Sequence, residues 1–374
     1  MRSAEDASAV PEAGTGGAGP TPRARWRSVA GLPGWSGRTT LAGLLVYVVL
    51  AVLLLETSGT LDLYEASLVL VYAIAAVGQD WLVGRAGQIS LGAAAFLAIG
   101  AYATAQSAGH SWAPFPVPLI VAAAFGGAIG VIVGISGLRF KGLYLALSTL
   151  ALQFIVAYAV QQDQGLNLAG FVVPEPHLWG IVFSAGRSFD LLLLVILGAL
   201  MLVMNGMYRR APGRAWSAIR QNEEAAAVAG VNVVRWKLVA FTGSSMVTAV
   251  AGGLLAYQQG RVTYQPFTLD LAVSVLVMVF VGGVGSLWGV VAGATLVMLL
   301  PYWLQNLTGA LSNVGSISSW LVTNQSEVAS AVYGLALVLV LLYERRGLAG
   351  LVRRVALLAR RLILRLREAG ARHG

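Results

Sequence analysis

Apolar positions along this chain gather into long continuous runs, without the alternation of a half-buried strand or the heptads of a coiled coil. Ten of these runs approach the roughly 20 residues needed to cross a hydrocarbon core of about 30 Å. They cover Thr39–Leu55, Leu63–Val77, Gln88–Ser107, Pro118–Leu138, Gly142–Val160, Leu191–Met207, Lys237–Tyr257, Leu269–Val281, Leu287–Leu304 and Val328–Tyr343. Helices that are apolar all round belong in protein interiors or in lipid. The pattern therefore predicts an all-α polytopic membrane protein of about ten transmembrane helices.

Composition agrees with the pattern. Of 374 residues, 57% are hydrophobic and 11% charged, against about 25% charged in an ordinary soluble domain. Most of the 45 glycines sit inside apolar runs, where a missing side chain lets membrane helices approach. With no cysteine, disulfide scaffolds, thiol nucleophiles and cysteine metal sites are excluded. His110, His177 and His373 are far apart in sequence, so no metal centre or acid/base catalyst is expected.

A net charge of +9 suggests nucleic acid only until the basic residues are placed between the runs. With both termini cytoplasmic, all of the 25 Lys and Arg residues except Arg187 and Arg261 fall on the cytoplasmic side. That is the segregation the positive-inside rule requires. An error of one span would move either the Arg209–Lys237 cluster or the C-terminal cluster to the wrong face. Residues 1–38, rich in Ala, Gly, Pro and Ser before turning basic, are expected to form a disordered cytoplasmic tail. No apolar core of a signal peptide precedes Leu41. Beyond residue 345, Leu348, Leu351, Val355, Leu358, Leu362 and Leu366 recur at helical spacing among arginines. This predicts a basic amphipathic helix over 346–374, lying on the inner leaflet or against a partner.

The longest cytoplasmic loop between spans, Tyr208–Trp236, reads YRRAPGRAWSAIRQNEEAAAVAGVNVVRW. Pro212 and Gly213 form a turn, Arg214–Ala229 is a run of good helix formers, and Gly230 is suited to end a helix. Ala215, Ile219, Ala226 and Ala229 give the expected helix a small-residue face, with Arg220, Glu223 and Glu224 on its flanks. Such a face either enters a groove on another protein or packs on its own membrane domain.

Glu224, Ala225, Ala226 and Gly230 spell E-A-A-x-x-x-G, and the stretch from Gly213 to Lys237 resembles the coupling loop of branched-chain amino-acid ABC-importer permeases of the LivM and LivH type. GQISLGAAAFLAIGAY from Gly87, GLYLALSTLAL from Gly142 and VGGVGSLWGVVAGA from Val281 resemble early, middle and late spans of that family, in the right order. The resemblance covers roughly Leu41 to Arg345, the permease domain expected over 39–345, and leaves out both basic ends. It implies ABC-importer permease architecture: half of a pore in a bacterial cytoplasmic membrane, paired with a second homologous permease. Two cytoplasmic ATPase subunits and an extracytoplasmic binding protein complete the assembly implied. Leucine, isoleucine and valine are the implied substrates. In the implied coupling loop Ala218, Ile219, Arg220, Glu223, Glu224, Ala226 and Gly230 are the candidate residues. Arg220, Glu223 and Glu224 would make polar contacts, Ala226 would allow close approach, and Gly230 would turn the chain back. No G-x-x-x-x-G-K-[ST] occurs, so the chain lacks a P-loop; ATP is expected on the partners, and no cofactor or catalytic residue is expected here.

Candidates for the pathway or for helix packing are Gln88, Ser90, Gly92, Ser148, Thr149, Gly282, Gly283 and Gly285, with Gly87, Gly100, Gly289, Gly293 and Gln153 in the same runs. The polar side chains need partners in lipid, and either bond helix backbones or line a wet passage. No charged residue lies near the middle of a proposed span. This disfavours an ion-coupled secondary transporter, which usually keeps intramembrane carboxylates, though that class stays open as an alternative. Urea, short amides or related small solutes are the alternative substrates within the importer class.

Overall fold

The computed structural model describes residues 60–311 except 110–112, 139–142, 163–169, 179–180 and 184–185, with scattered positions between 327 and 350. Helix α1 (Thr60–Asp80) continues into a π-helical stretch at Trp81–Arg85, followed by α2 (Ala93–Ala108), α3 (Val117–Leu138) and α4 (Leu143–Gln162). Two-residue strands β1 (Phe171–Val172), β2 (His177–Leu178) and β3 (Ile181–Val182) lead to α5 (Arg187–Arg209). Next come the loop helices α6 (Ala211–Gln221) and α7 (Glu223–Val228), and the long α8 (Val233–Gln259). Strand β4 (Arg261–Val262), α9 (Leu269–Gly282) and α10 (Leu287–Leu311) complete the continuously described chain.

Helix α1 with its π-helical stretch, α3, α4, α5 and α8 are long and apolar enough to cross a membrane, while α9 and α10 supply shorter apolar segments. A helix thus stands at each expected span from Leu63 to Leu304. The expected tail 1–38, the span Thr39–Leu55 and residues 351–374 lie outside the described residues. Within Val328–Tyr343 the described positions are helical. Ten spans are compatible with this arrangement. An addition to the all-helical expectation is a pair of short antiparallel ribbons, in which β1 pairs with β4, placing Phe171 opposite Val262, and β2 pairs with β3.

Helix α8 forms the centre, packed against α1, α2 and α3. The sequence dictates how closely. Gly126, Gly130 and Gly134, four residues apart, form one stripe of α3. A β-carbon at Gly130 would come within 2.8 Å of Ser245 Cβ, and one at Gly134 within 2.8 Å of Leu238 Cδ1. On the other side, Gly100 of α2 lies on the Ala249 backbone of α8, and Gly252 of α8 lies on the Leu97 backbone of α2. Without a hydrophobic force between helices in lipid, such backbone approach is the main source of packing energy. Two hydroxyls on this face bond within α8: Ser245 donates to the Phe241 carbonyl and Thr248 to that of Ser244, both at 2.9 Å. The apolar window of α1 is 89% buried, whereas those of α3, α4 and α5 are 28–33% buried, so the latter form the rim.

The two ends of the bundle differ. At one, Arg85, Arg209, Arg210, Arg214, Arg220, Arg235 and Lys237 gather around α6 and α7. At the other lie Arg187 and Arg261, and between that end and the middle of the bundle an aromatic cluster, in which Tyr102 meets Phe171 and Phe267 and Phe115 meets Tyr257 at ring separations of 6.0–6.3 Å.

Candidate functional site

The Tyr208–Trp236 loop folds into two helices where a single one is expected over Arg214–Ala229. The break is at Asn222, whose backbone is extended (φ −159°, ψ 113°) and whose side chain accepts a hydrogen bond from the Ala225 N–H at 3.0 Å. Asparagine competes with helical hydrogen bonds through its own side chain and is among the best helix N-caps, so it ends α6 and starts α7. Gly230, at φ +84°, closes α7 with nothing within 4 Å of its missing side chain. Its requirement is one of backbone conformation alone. Asn232 then caps α8 by accepting from the Arg235 N–H at 3.0 Å.

Helix α6 is anchored to the bundle. Trp216, fully buried, donates from Nε1 to the Trp236 carbonyl at 2.8 Å. Its ring meets Trp81 of the π-helical stretch edge-on at 5.4 Å and Trp236 at 5.9 Å. Ala215, Ile219 and Ala226 are buried. Of the two expectations for the small-residue face, packing on the chain's own membrane domain describes these three residues, while Ala229, the fourth of the face, is exposed. Ala218 is half-buried. Among the expected flanking charges, Glu223 accepts from Lys237 Nζ at 2.6 Å. The outward surface of α7 is instead Glu224, Ala225, Ala227 and Val228, with Val228 91% exposed.

Arg220 turns inward. Its Nη1 donates to the Gly84 carbonyl in the π-helical stretch, and its aliphatic stem lies beside Gly87, itself at φ +70°. Next to Gly84 is Asp80, completely buried, whose Oδ1 accepts from the Gly285 N–H at 2.6 Å. Arg85 donates from Nη2 to the Gly285 carbonyl at 2.7 Å, and its guanidinium stacks 4.2 Å from the centre of the Tyr208 ring. Arg85 and Arg220 both act on the Asp80 charge. A buried carboxylate is costly unless it is paired and hydrogen-bonded; here Oδ1 has its backbone donor, Oδ2 has no hydrogen-bond partner among the described residues, and the charges of Arg85 and Arg220 act on it through space. The result is one node joining the end of α1, the Gly283–Gly285 turn between α9 and α10, and loop helix α6. Asp80 and Arg85 escape the apolar-run reading because they stand at the end of a run, where charge reads as the water interface. The available signal is an acid between Gln79 and Trp81, five residues before an arginine.

Among the pathway or packing candidates, Gly282 lies against the Gly289 backbone across the α9–α10 contact. Gly283 and Gly285 belong to the turn, at φ +110° and +86°. Residues 86–92, expected as the start of a span at Gln88, are irregular, and α2 begins only at Ala93. This segment is held by side chains: Gln79 Nε2 donates to the Ser90 carbonyl at 2.8 Å, and the Leu91 N–H donates to Thr149 Oγ1 at 2.9 Å. Gly92 fits against Thr149, and its N–H meets Ser90 Oγ at 3.3 Å. Ser148 bonds back to Tyr144 in its own helix at 2.9 Å. Gln88 lines a cavity of about 300 Å³ between this segment and Arg220, Glu223, Lys237 and Phe241. At the opposite end a second carboxylate, Asp190, is fully buried and accepts from Ser67. No cluster of potential metal ligands occurs among the described residues.

The family described as "Branched-chain amino acid transport system / permease component" matches residues 63–341. The high-affinity branched-chain amino acid transport system permease protein LivM of Escherichia coli (strain K12) is 29% identical over 87% of this chain and 80% of its own length. The autoinducer 2 import system permease protein LsrC of Enterobacter sp. (strain 638) is 29% identical over 74% of this chain and 82% of its own. The L-arabinose transport system permease protein AraH of Escherichia coli (strain K12) is 28% identical over 53% and 59% respectively. No solved structure matches.

Proposed function

Since the chain belongs to the branched-chain amino acid permease family, we propose that it carries leucine, isoleucine and valine inward as one of two permeases in a binding-protein-dependent ABC importer. It is a transport subunit and not an enzyme. The basic end of the bundle faces the cytoplasm, in keeping with the positive-inside rule, and two ATPase subunits dock there. A second, homologous permease completes the pore, and a binding protein delivers substrate to the opposite end.

The observation that carries this reading is the construction of the loop. Helix α7 exposes Ala225, Ala227 and Val228, while α6 is tied through Trp216 and Arg220 to the membrane helices. A push on α7 is passed by α6 to Gly84 and so to the Asp80–Gly285 contact. Both receiving elements are easily displaced: a π-helical stretch interrupts regular helix geometry and recurs at functional sites, and the Gly283–Gly285 turn has only the half-buried Val284 side chain to unpack. The end of α1 and the α9–α10 hairpin then move together when the ATPase cleft closes.

The similarity to LsrC and AraH favours a second reading, the same machine with another small solute. Uptake of labelled leucine by the permease pair, ATPase and binding protein in proteoliposomes separates the two. The account predicts uptake that needs ATP and binding protein and is competed by valine; uptake of arabinose but not leucine supports the second reading. Leucine uptake driven by a proton or sodium gradient without ATP would establish an ion-coupled carrier instead.

A further inference from the structure

Helix α9 has 14 residues, about 21 Å at 1.5 Å per residue, too short for a hydrocarbon core of about 30 Å. Helix α8 before it has 27 residues, about 40 Å. The chain between them therefore returns into the bundle before α9 begins. Its depth is marked by Gln153, ten residues into α4 and so about 15 Å from the start of that helix. Gln153 Nε2 donates to the Phe267 carbonyl at 3.0 Å. Non-helical backbone at the middle of a membrane is tolerated where it is buried in protein or lines a polar cavity. Here a cavity of about 260 Å³ lies between α4 and this segment, lined by Gln153, Val156, Ala157, Tyr264, Phe267 and Thr268 among others.

Gln153 is 2% exposed, and with its amide nitrogen committed to Phe267 its Oε1 has no hydrogen-bond partner among the described residues. A buried acceptor without a partner is costly, and this one belongs to a side chain that lines the cavity. The Phe267 carbonyl, an acceptor only, orients the amide with its nitrogen inward, and the Phe267 ring lies 6.3 Å from that of Tyr102. We propose that this cavity binds the transported solute, with Gln153 Oε1 accepting from an ammonium or amide N–H and the surrounding carbon wall enclosing a short branched aliphatic body. The volume falls below the roughly 300–1,000 Å³ of drug-sized sites, which suits a solute of a few heavy atoms. No Lys or Arg lines it, so it offers no counter-ion to a solute that is purely anionic. A sugar, with hydroxyls on every side, would leave most of them against carbon. The assignment rests on the import function proposed above and gives the discrimination between aliphatic amines and sugars a residue.

The test exploits the absence of cysteine. Ala157→Cys in the full reconstituted importer is labelled with a small water-soluble thiol reagent, with and without saturating leucine. We expect labelling, slowed at least fivefold by leucine and unaffected by arabinose. Gln153→Leu is expected to raise the leucine KM about tenfold, the equivalent of about 1.4 kcal/mol, with normal recovery of the assembled complex. No labelling of Ala157→Cys marks a lipid-filled crevice and overturns the proposal. So does labelling that leucine does not slow, or a Gln153→Leu complex with wild-type leucine KM. Failure of the wild-type complex to import leucine overturns the function proposed above, and protection of Ala157→Cys by leucine is read independently of it.

Discussion

Removing the guanidinium of Arg220 isolates the link between loop and membrane helices. Arg220→Ala leaves the Gly84 carbonyl without its side-chain donor and the buried Asp80 with one arginine where it had two. A hydrogen bond to a charged group contributes about 1.5–3 kcal/mol. Arg220 is itself exposed, so water competes for it and the lower end, about 1.5 kcal/mol, applies. That is roughly a tenfold change in the equilibrium between a latched and an unlatched loop. Trp216 keeps α6 seated, so the protein should assemble normally. The assay is leucine imported per ATP hydrolysed by the reconstituted complex. Arg220→Ala should lower this ratio about tenfold, with ATP hydrolysis continuing. Arg220→Lys should fall between, since lysine keeps the charge but not the planar fork of donors. An unchanged ratio in Arg220→Ala would refute the latch, as would a parallel loss of uptake, hydrolysis and complex recovery, which is what general destabilisation produces.

Gly230→Val forces a branched side chain into left-handed backbone, at about 1–2 kcal/mol; uptake should fall while membrane insertion, followed by recovery from the membrane fraction, stays normal. Ala226→Trp overpacks a buried site at about 1–3 kcal/mol and should lower the thermal midpoint of the isolated permease. Val228→Asp should leave that midpoint in place and reduce co-purification of the ATPase. In intact cells, Asn222→Cys should react with an impermeant thiol reagent only after permeabilisation, and reaction without it would overturn the proposed orientation.

Span positions were legible because lipid imposes a single rule on a helix, that it be apolar for its full length, and runs such as Pro118–Leu138 state it without ambiguity. Boundaries failed where side chains replace helical hydrogen bonds. Residues 86–92 look like the start of a span, yet Gln79 and Thr149, distant in sequence, hold them irregular. The loop was legible in place and in its terminator, since only the glycine at 230 suits that backbone. Its break at Asn222 was not, because the surrounding run of helix formers outweighs one capping residue in any averaged propensity. Orientation was the least visible property of all: Ala226 and Val228 are both small apolar residues two positions apart, and only the packing of α6 decides that one is buried and the other exposed. Asp80 shows the same limit, since its partner Gly285 lies 205 positions away.

The central claim, that α7 delivers the ATPase stroke through its outward face, is tested most directly by disulfide cross-linking in the assembled complex. Val228→Cys is paired with single cysteines placed along the cleft of the ATPase subunit, and Ala226→Cys serves as the buried comparison. The account predicts an efficient cross-link from position 228 at one cleft position and none from position 226. A cross-link from 226 in place of 228, or from neither while the complex remains intact and active, would contradict it.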